Sequence, residues 1–350
     1  MRHHVHPRLT NPPFSDPGLY VDVGRRRGAL LFDIGESGGL SGADLARVSH
    51  LFISHTHMDH VVGFDRLVRE ILGKPVTLQV YGPEGIIFHV GSRMSAYTWN
   101  LVEGRAQSPV VIVTEVRPGH LLQQRFECRS GFLPVLAPEQ KSPAAVIMDD
   151  GCWRVSTEIL DHRTPCLGFR LAARDHLNVD TEALRREGFA IGPWLSELKS
   201  LAATAPIPET ARVTATTRSG QQRSVPAAAL ARALVTRKRG KTYAYITDAS
   251  YSPENIRKIV RLAQGADHLF IEAPFLAVHE THATAKCHLT AWQAGTLAAM
   301  AGAADFTIFH FSPRYRGLEA QLEAESRRAF LETAPNNGLA FSRKTQKTSQ

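Results

Sequence analysis

The stretch Ser54-His55-Thr56-His57-Met58-Asp59-His60 places three imidazoles and a carboxylate within six residues, directly after the apolar run Leu51-Phe52-Ile53. A packed core has no use for such a group, because each buried imidazole needs polar partners and a buried carboxylate needs more. On a loop leaving a buried strand the same residues are ligands, since His nitrogen and Asp oxygen suit zinc or a similar divalent ion. Three further metal-type residues stand alone where apolar runs end: His162, Asp248 and His310. In layered α/β folds the ligand crevice lies outside the carboxyl ends of the strands, so this shared position brings them to one place. With His55, His57, Asp59 and His60 they make seven ligands, enough for two ions if one carboxylate bridges. Glu272 closes another such run, and His288 precedes a helix start marked by the capping-box pair Thr290 and Gln293.

The elements that must position these groups are legible from periodicity. Residues 19 to 23 and 29 to 34 read as strands joined by Gly24-Arg25-Arg26-Arg27-Gly28, whose arginine tip suits either a phosphate contact or a solvated turn. A strand over 49–53 leads into the histidine loop. The apolar spacing of Val61, Phe64, Leu67, Val68 and Leu72 then predicts a helix over 61–72. A strand over 76–81, a helical segment reaching Asn100 and the β-branched run Val110 to Val113 follow, the last of the kind buried on both faces. Strands at 152–160, 168–171, 242–247, 268–271 and 306–309, with helices at 253–264, 290–300 and 317–333, complete an α/β layered pattern. Residues 174–240 differ: they are rich in Ala, Arg, Thr and Pro and end in Arg237-Lys238-Arg239. Leu184, Phe189, Ile191, Trp194 and Leu198 are too many large apolar groups for a free linker, so this stretch reads as an ordered insertion or arm. Residues 336–350 read as a disordered tail.

A chain of 350 residues with 43% hydrophobic residues has room for one large domain or two. Its net charge of +8 and pI near 9.5 favour an anionic partner, nucleic acid before a membrane surface. No run approaches the ~18 apolar residues of a spanning helix, and Met1-Arg2-His3-His4-Val5-His6 lacks the apolar core of a signal peptide, so a cytoplasmic location is expected. The histidines of that terminus are poorly placed to fix a metal's geometry. Cys128, Cys152, Cys166 and Cys287 form no C-x-x-C pair, which argues against a zinc ribbon and a disulfide framework and for inert core thiols.

The loop Ser54 to His60, the segment Leu160-Asp161-His162 through Gly168-Phe169-Arg170, the Asp248 strand end and Phe309-His310-Phe311-Ser312-Pro313-Arg314-Tyr315 together resemble the metallo-β-lactamase superfamily. Within it they are similar to the ribonuclease Z family, endonucleases that remove 3′ trailers from precursor tRNA. Phe270-Ile271-Glu272-Ala273-Pro274-Phe275 and His288-Leu289-Thr290-Ala291-Trp292-Gln293-Ala294 resemble segments that carry that family's catalytic Glu and His. Gly192-Pro193-Trp194 with Lys199 resembles part of its tRNA-gripping arm.

The resemblance runs from about residue 29 to residue 316. It implies a four-layer αββα sandwich, a single domain over 1–335 with the arm 174–240 inserted. It also implies one zinc on His55, His57 and His162, a second on Asp59, His60 and His310, and Asp248 bridging them; manganese or iron suit the same ligands. Asp59 would act as the base and His288, assisted by Glu272, as the acid. Arg314 and Lys199 would contact flanking phosphates of a precursor tRNA or other RNA, and the chain would pair as a homodimer. Thr247-Asp248-Ala249 stands where the family has Gly-Asp-Thr, and Pro7 to Pro13 lacks the family's glycine-threonine-glycine opening. A small phosphodiester or cyclic nucleotide is the alternative substrate class on this fold.

Overall fold

The structure is a computed structural model that describes residues 5–24, 28–102, 107–136, 140–141, 146–204 and 206–334. The arginine tip 25–27, the first histidines of the N-terminus and the tail 336–350 lie outside the described residues. The chain divides into two compact units, one of Met1–Asp150, Arg154–Leu171 and Thr242–Gln350, the other of Gly151–Trp153 and Ala172–Lys241.

The first unit is built on two sheets. One orders the strands His6–Leu9, Leu19–Asp22, Ala29–Phe32, Val48–Phe52, Thr77–Pro83, Val110–Arg117, His120–Glu127 and Pro134–Leu136 side by side, with Gln140–Lys141 also on His120–Glu127. Its four middle strands, from Ala29–Phe32 to Val110–Arg117, run parallel. The other orders Val146–Asp149, Trp153–Asp161, Pro165–Ala173, Thr242–Ile246, His268–Glu272 and Phe306–Phe309, the last three parallel. The sheets face each other across an aromatic layer: the Phe169 ring lies 5.5 Å from Phe32 and 5.7 Å from Phe52, and Tyr245 stacks on Phe309 at 5.3 Å.

Each sheet carries helices on its other face, because strands buried on both faces need apolar cover twice. Leu31, Leu51, Val80 and Val111 pack with Phe64, Leu67 and Ile71 of the helix Phe64–Ile71 and with Ile86 and Val90 of Ile86–Ser95. Ile246, Leu269, Ile271 and Ile308 pack with Ile259 and Leu262 of Pro253–Ala263, Leu297 of Ala291–Met300 and Leu322 of Glu319–Thr333. The result is the four-layer αββα sandwich that the resemblance implies.

Local outcomes refine the expected elements. The helix expected over 61–72 is two pieces, Met58–Val61 and Phe64–Ile71. Gly63 makes the joint: its N–H donates to Ile34 O at 3.0 Å, and a Cβ there would stand 2.4 Å from Gly35 O. The helix expected to reach Asn100 stops at Ser95, where the Trp99 indole donates to Met94 O at 2.8 Å. Thr290 and Gln293 form the expected capping box, with both reciprocal bonds present.

The second unit has its own apolar centre of Leu184, Phe189, Trp194, Leu198, Val213, Leu230 and Leu234. Two antiparallel pairs, His176–Val179 with Val235–Lys238 and Arg212–Thr216 with Gln222–Pro226, accompany the helices Thr181–Arg186, Trp194–Ala203 and Ala227–Leu234. Ile191, counted among the apolar groups of this stretch, is exposed.

Candidate metal centre

All seven expected ligands meet at the carboxyl ends of strands in the first unit. Val48–Phe52 feeds the loop with His55 and His57 and the short helix Met58–Val61 with Asp59 and His60. Trp153–Asp161 delivers His162, Thr242–Ile246 delivers Asp248, and Phe306–Phe309 delivers His310. One ligand atom each from His55, His57, His162 and Asp248 lies within 4.8 Å of the others, and the same holds for Asp59, His60 and His310.

Asp248 stands between the two sets with one oxygen toward each. Its Oδ2 is 3.7 Å from His55 Nε2 and 3.4 Å from His162 Nε2. Its Oδ1 is 3.6 Å from His60 Nε2 and 3.0 Å from His310 Nδ1. The Thr247 hydroxyl donates to Oδ1 at 3.0 Å, so this carboxylate has a fixed orientation. Asp59 Oδ2 approaches His60 Nε2 at 3.6 Å and His310 Nε2 at 3.4 Å.

Behind the ligands, other groups hold the imidazoles. Asp33, fully buried, accepts from His60 Nδ1 at 2.9 Å, Ser54 N at 2.7 Å, Ser54 Oγ at 2.8 Å and the Tyr245 hydroxyl at 3.1 Å. His162 Nδ1 bonds Cys287 O at 2.8 Å, and His55 Nδ1 lies 3.1 Å from Ser54 Oγ and 3.7 Å from Cys166 Sγ. Each bond spends the ring nitrogen that faces away from the centre and so turns the other inward, the arrangement that fixes metal-binding histidines. Two of the four cysteines therefore touch the site rather than filling core space alone.

The charge balance completes the test of fit. Burial opposes charge on His60, but Asp248 and Asp33 outweigh it and carry its pKa up to about 10. Burial likewise opposes charge on His310, yet Asp248 and Asp59 push it well above the usual range. Burial and the neighbouring His60 drive His55 down to about 2. Burial favours the neutral form of Asp59, but His310 and His60 prevail and hold it at about 2. The cluster thus attracts positive charge: among the described residues His55 Nε2 and His60 Nε2 are buried without a hydrogen bond, and His310 Nδ1 faces Asp248 Oδ1 at 3.0 Å and Glu272 Oε2 at 3.5 Å. A pair of divalent cations fits that donor set.

Beside the ligands, Glu272 and His288 form a dyad. Glu272 Oε2 takes His288 Nδ1 at 2.8 Å, and its Oε1 accepts Ala249 N and Leu289 N, both at 3.1 Å. Burial disfavours charge on both, but their mutual attraction prevails, lowering Glu272 and raising His288. His288 Nδ1 is 3.9 Å from Asp248 Oδ2. Arg314 lies over the Phe275 ring, 5.5 Å from its centre, and Phe275 is 6.1 Å from the His288 ring. Lys199 belongs to the helix Trp194–Ala203 of the second unit. Sequence reasoning missed Asp33, because the strand read over 29–34 put it inside an apolar run, whereas the strand ends at Phe32 and Asp33 follows it.

Fold and site together define a metallo-β-lactamase-fold protein. The metallo-β-lactamase fold protein YhfI from Bacillus subtilis aligns with a TM-score of 0.50 at 16% identity, over 91% of this chain and 86% of that one. Human tRNase Z, short form, aligns with a TM-score of 0.50 at 18% identity, over 89% of this chain and 93% of that one. No sequence model of a known protein family matches the chain. Ribonuclease Z of Deinococcus radiodurans is 30% identical over 314 residues, 87% of this chain and 89% of that protein. Ribonuclease BN of Salmonella paratyphi B is 28% identical over 323 residues, 90% and 89% of the two chains. The chain belongs to the ribonuclease Z family.

Proposed function

We propose that the chain is an endoribonuclease that removes 3′ trailers from precursor tRNA with two divalent cations, zinc in the first instance. The observation that carries the reading is the split of Asp248 between two ligand sets, with a pinned imidazole beside it. His55, His57, His162 and Asp248 would hold one cation, and Asp59, His60, His310 and Asp248 the other. When bound, such a pair supplies Lewis acidity to a phosphodiester and acidifies water at neutral pH.

The chain's own groups supply the rest. Asp59, half-exposed and with Oδ2 3.4 Å from His310 Nε2, would orient the attacking water and take its proton. His288 holds Nδ1 on Glu272, which leaves Nε2 to protonate the departing 3′ oxygen, and its raised pKa keeps that proton available. Arg314 over the Phe275 ring suits a flanking phosphate. The second unit exposes Arg185, Arg186, Arg218, Arg223, Arg237 and Lys238, and with Lys199 these would contact RNA phosphates. No helix among the described residues is long and apolar enough to cross a membrane. We further propose that the chain acts as a homodimer in the cytoplasm; light scattering tests the dimer and cell fractionation the location.

The deciding experiment offers purified protein a 3′-extended precursor tRNA and bis(p-nitrophenyl) phosphate, with metal counting and mapping of the cut. Two metals per chain and cleavage after the discriminator base support the reading. Turnover of the small ester with none of the tRNA would overturn it in favour of a small-phosphodiester hydrolase.

A further inference from the structure

Asn255 sits in the first turn of the helix Pro253–Ala263, 1% exposed. The helix start does not need its side chain as a cap, because Ser252 already accepts the Asn255 N–H at 3.2 Å. Asn is also a weak helix former, since its amide competes for backbone partners. Here that amide is fully engaged outside the helix. Its Oδ1 accepts Asp161 N at 3.0 Å, and its Nδ2 donates to Asp161 O at 2.8 Å and Ser250 O at 2.9 Å. Asp161 immediately precedes the ligand His162, and Ser250 follows the ligand Asp248 by two residues. One side chain therefore holds both the N–H and the C=O of the residue before one ligand and the backbone after the other.

The surroundings show that this grip sets geometry. Ser250 N and Oγ also donate to Asp161 O, at 2.9 and 3.0 Å. The turn that carries His162 is tight: Arg163 has φ of 57°, and its N–H donates to Asp161 Oδ1 at 3.0 Å. With His162 Nδ1 held by Cys287 O, any displacement of Asp161 passes directly to His162 Nε2 and its 3.4 Å approach to Asp248. None of the Asn255 side-chain bonds reaches the loop of Asp59 and His60 or the strand end at His310.

We infer that Asn255 is a positioning residue that fixes His162 against Asp248 and thereby sets the cation affinity of the three-histidine set, disturbing the other set less because that set shares only Asp248 with the held backbone. The inference rests on the two-cation centre proposed above. Its test is equilibrium dialysis of metal-depleted protein against chelator-buffered zinc, counting zinc per chain. Asn255→Ala is expected to weaken one of the two zinc ions by about 10–100-fold, the usual effect of losing an outer partner of a ligand, while the second moves by less than about threefold. Thr157→Val is the matched control, since Thr157 Oγ1 donates to Gly168 O at 2.8 Å from the same strand, away from the ligands; it should move neither zinc. Ser250→Ala removes the milder part of the grip, so it keeps the test alive if Asn255→Ala does not fold, and must weaken the same single zinc. Equal weakening of both zincs, no weakening, or a Thr157→Val effect as large as that of Asn255→Ala overturns the inference. A wild-type chain that binds no zinc would instead refute the two-cation centre itself.

Discussion

Asp33→Asn is the cleanest perturbation of the site, because it deletes a charge while leaving shape and backbone in place. Asp33 has φ of 53°, a left-handed conformation that Asn adopts about as readily as Asp. The native carboxylate accepts from four donors: Ser54 N and Oγ, Tyr245 OH and His60 Nδ1. An Asn amide has one oxygen. If that oxygen stays on the rigid Ser54 N–H, the NH2 faces the two hydroxyls, which can turn and accept, and His60 Nδ1, which can accept only by surrendering its proton. A neutral His60 then carries the proton on Nε2, the nitrogen that faces Asp248 at 3.6 Å. The lone pair needed for a cation is gone from the inward side.

Restoring the ligating tautomer means breaking the new bond, and loss of such an outer partner typically weakens a metal by about 10–100-fold, or roughly 1.4–2.8 kcal/mol. Competition of metal-depleted Asp33→Asn against a chromophoric chelator measures this. One zinc should weaken within that range while the zinc on His55, His57 and His162 weakens less, since Asp33 reaches that set only through Ser54 Oγ and its contact with His55 Nδ1. Both affinities unchanged would refute the argument that Asp33 sets the His60 tautomer.

His288→Ala should leave two metals per chain and lower kcat on precursor tRNA by about 100-fold or more, the usual worth of a general acid; full turnover would remove His288 from that role. Glu272→Gln should keep the bonds to Ala249 N and Leu289 N but withdraw the charge that raises His288, so the basic limb of the pH–rate profile, where His288 loses its proton, should move to lower pH. Thr290→Ala removes the cap of Ala291–Met300 and should cost about 1 kcal/mol in urea unfolding with the metal count unchanged. Metal-free protein should lose stability as pH rises: His60, raised from 6.5 to about 10, contributes fully below the former and nothing once deprotonated above the latter. Melting curves in a chelator should fall across that window, and a flat or rising trend would count against the burial of His60 between two carboxylates.

The seven proposed ligands could be picked out because metal chemistry uses few residue types and layered folds present them at one kind of position, the carboxyl end of a strand, and the structure brings those residues together. Asp33 shares that position in the structure, where the strand ends at Phe32, but the apolar run reads on through Ile34, which puts Asp33 inside the expected strand rather than at its end. Asn255 was hidden more deeply: an Asn near a helix start suggests capping, and only the fold reveals that its partners lie 94 residues back at Asp161 and 5 residues back at Ser250. The strands around the site were legible as continuous apolar runs. The break at Gly63 was not, since it depends on close approach to Gly35, a contact that no local pattern encodes.

The site's electrostatics and the sandwich's packing are one problem. Asp33 leaves the end of a first-sheet strand, yet one of its donors, Tyr245, belongs to the second sheet and stacks on Phe309, whose successor in the chain is His310. Asp248 and Glu272 come from the second sheet, while His55 and His60, facing Asp248, come from the first. Three fully or nearly fully buried carboxylates, Asp33, Asp248 and Glu272, thus sit where the sheets meet, and buried charge is tolerated only when compensated. The compensation comes from imidazoles on both sheets, through protons on His60, His288 and His310 in the bare chain and through cations in the loaded one. The aromatic layer holds the sheets at a spacing that lets Asp248 address both ligand sets, and the compensated charges reward that same spacing. This explains why the proposed ligands are scattered along the sequence: a centre fed from one sheet alone would leave the opposing carboxylates without partners.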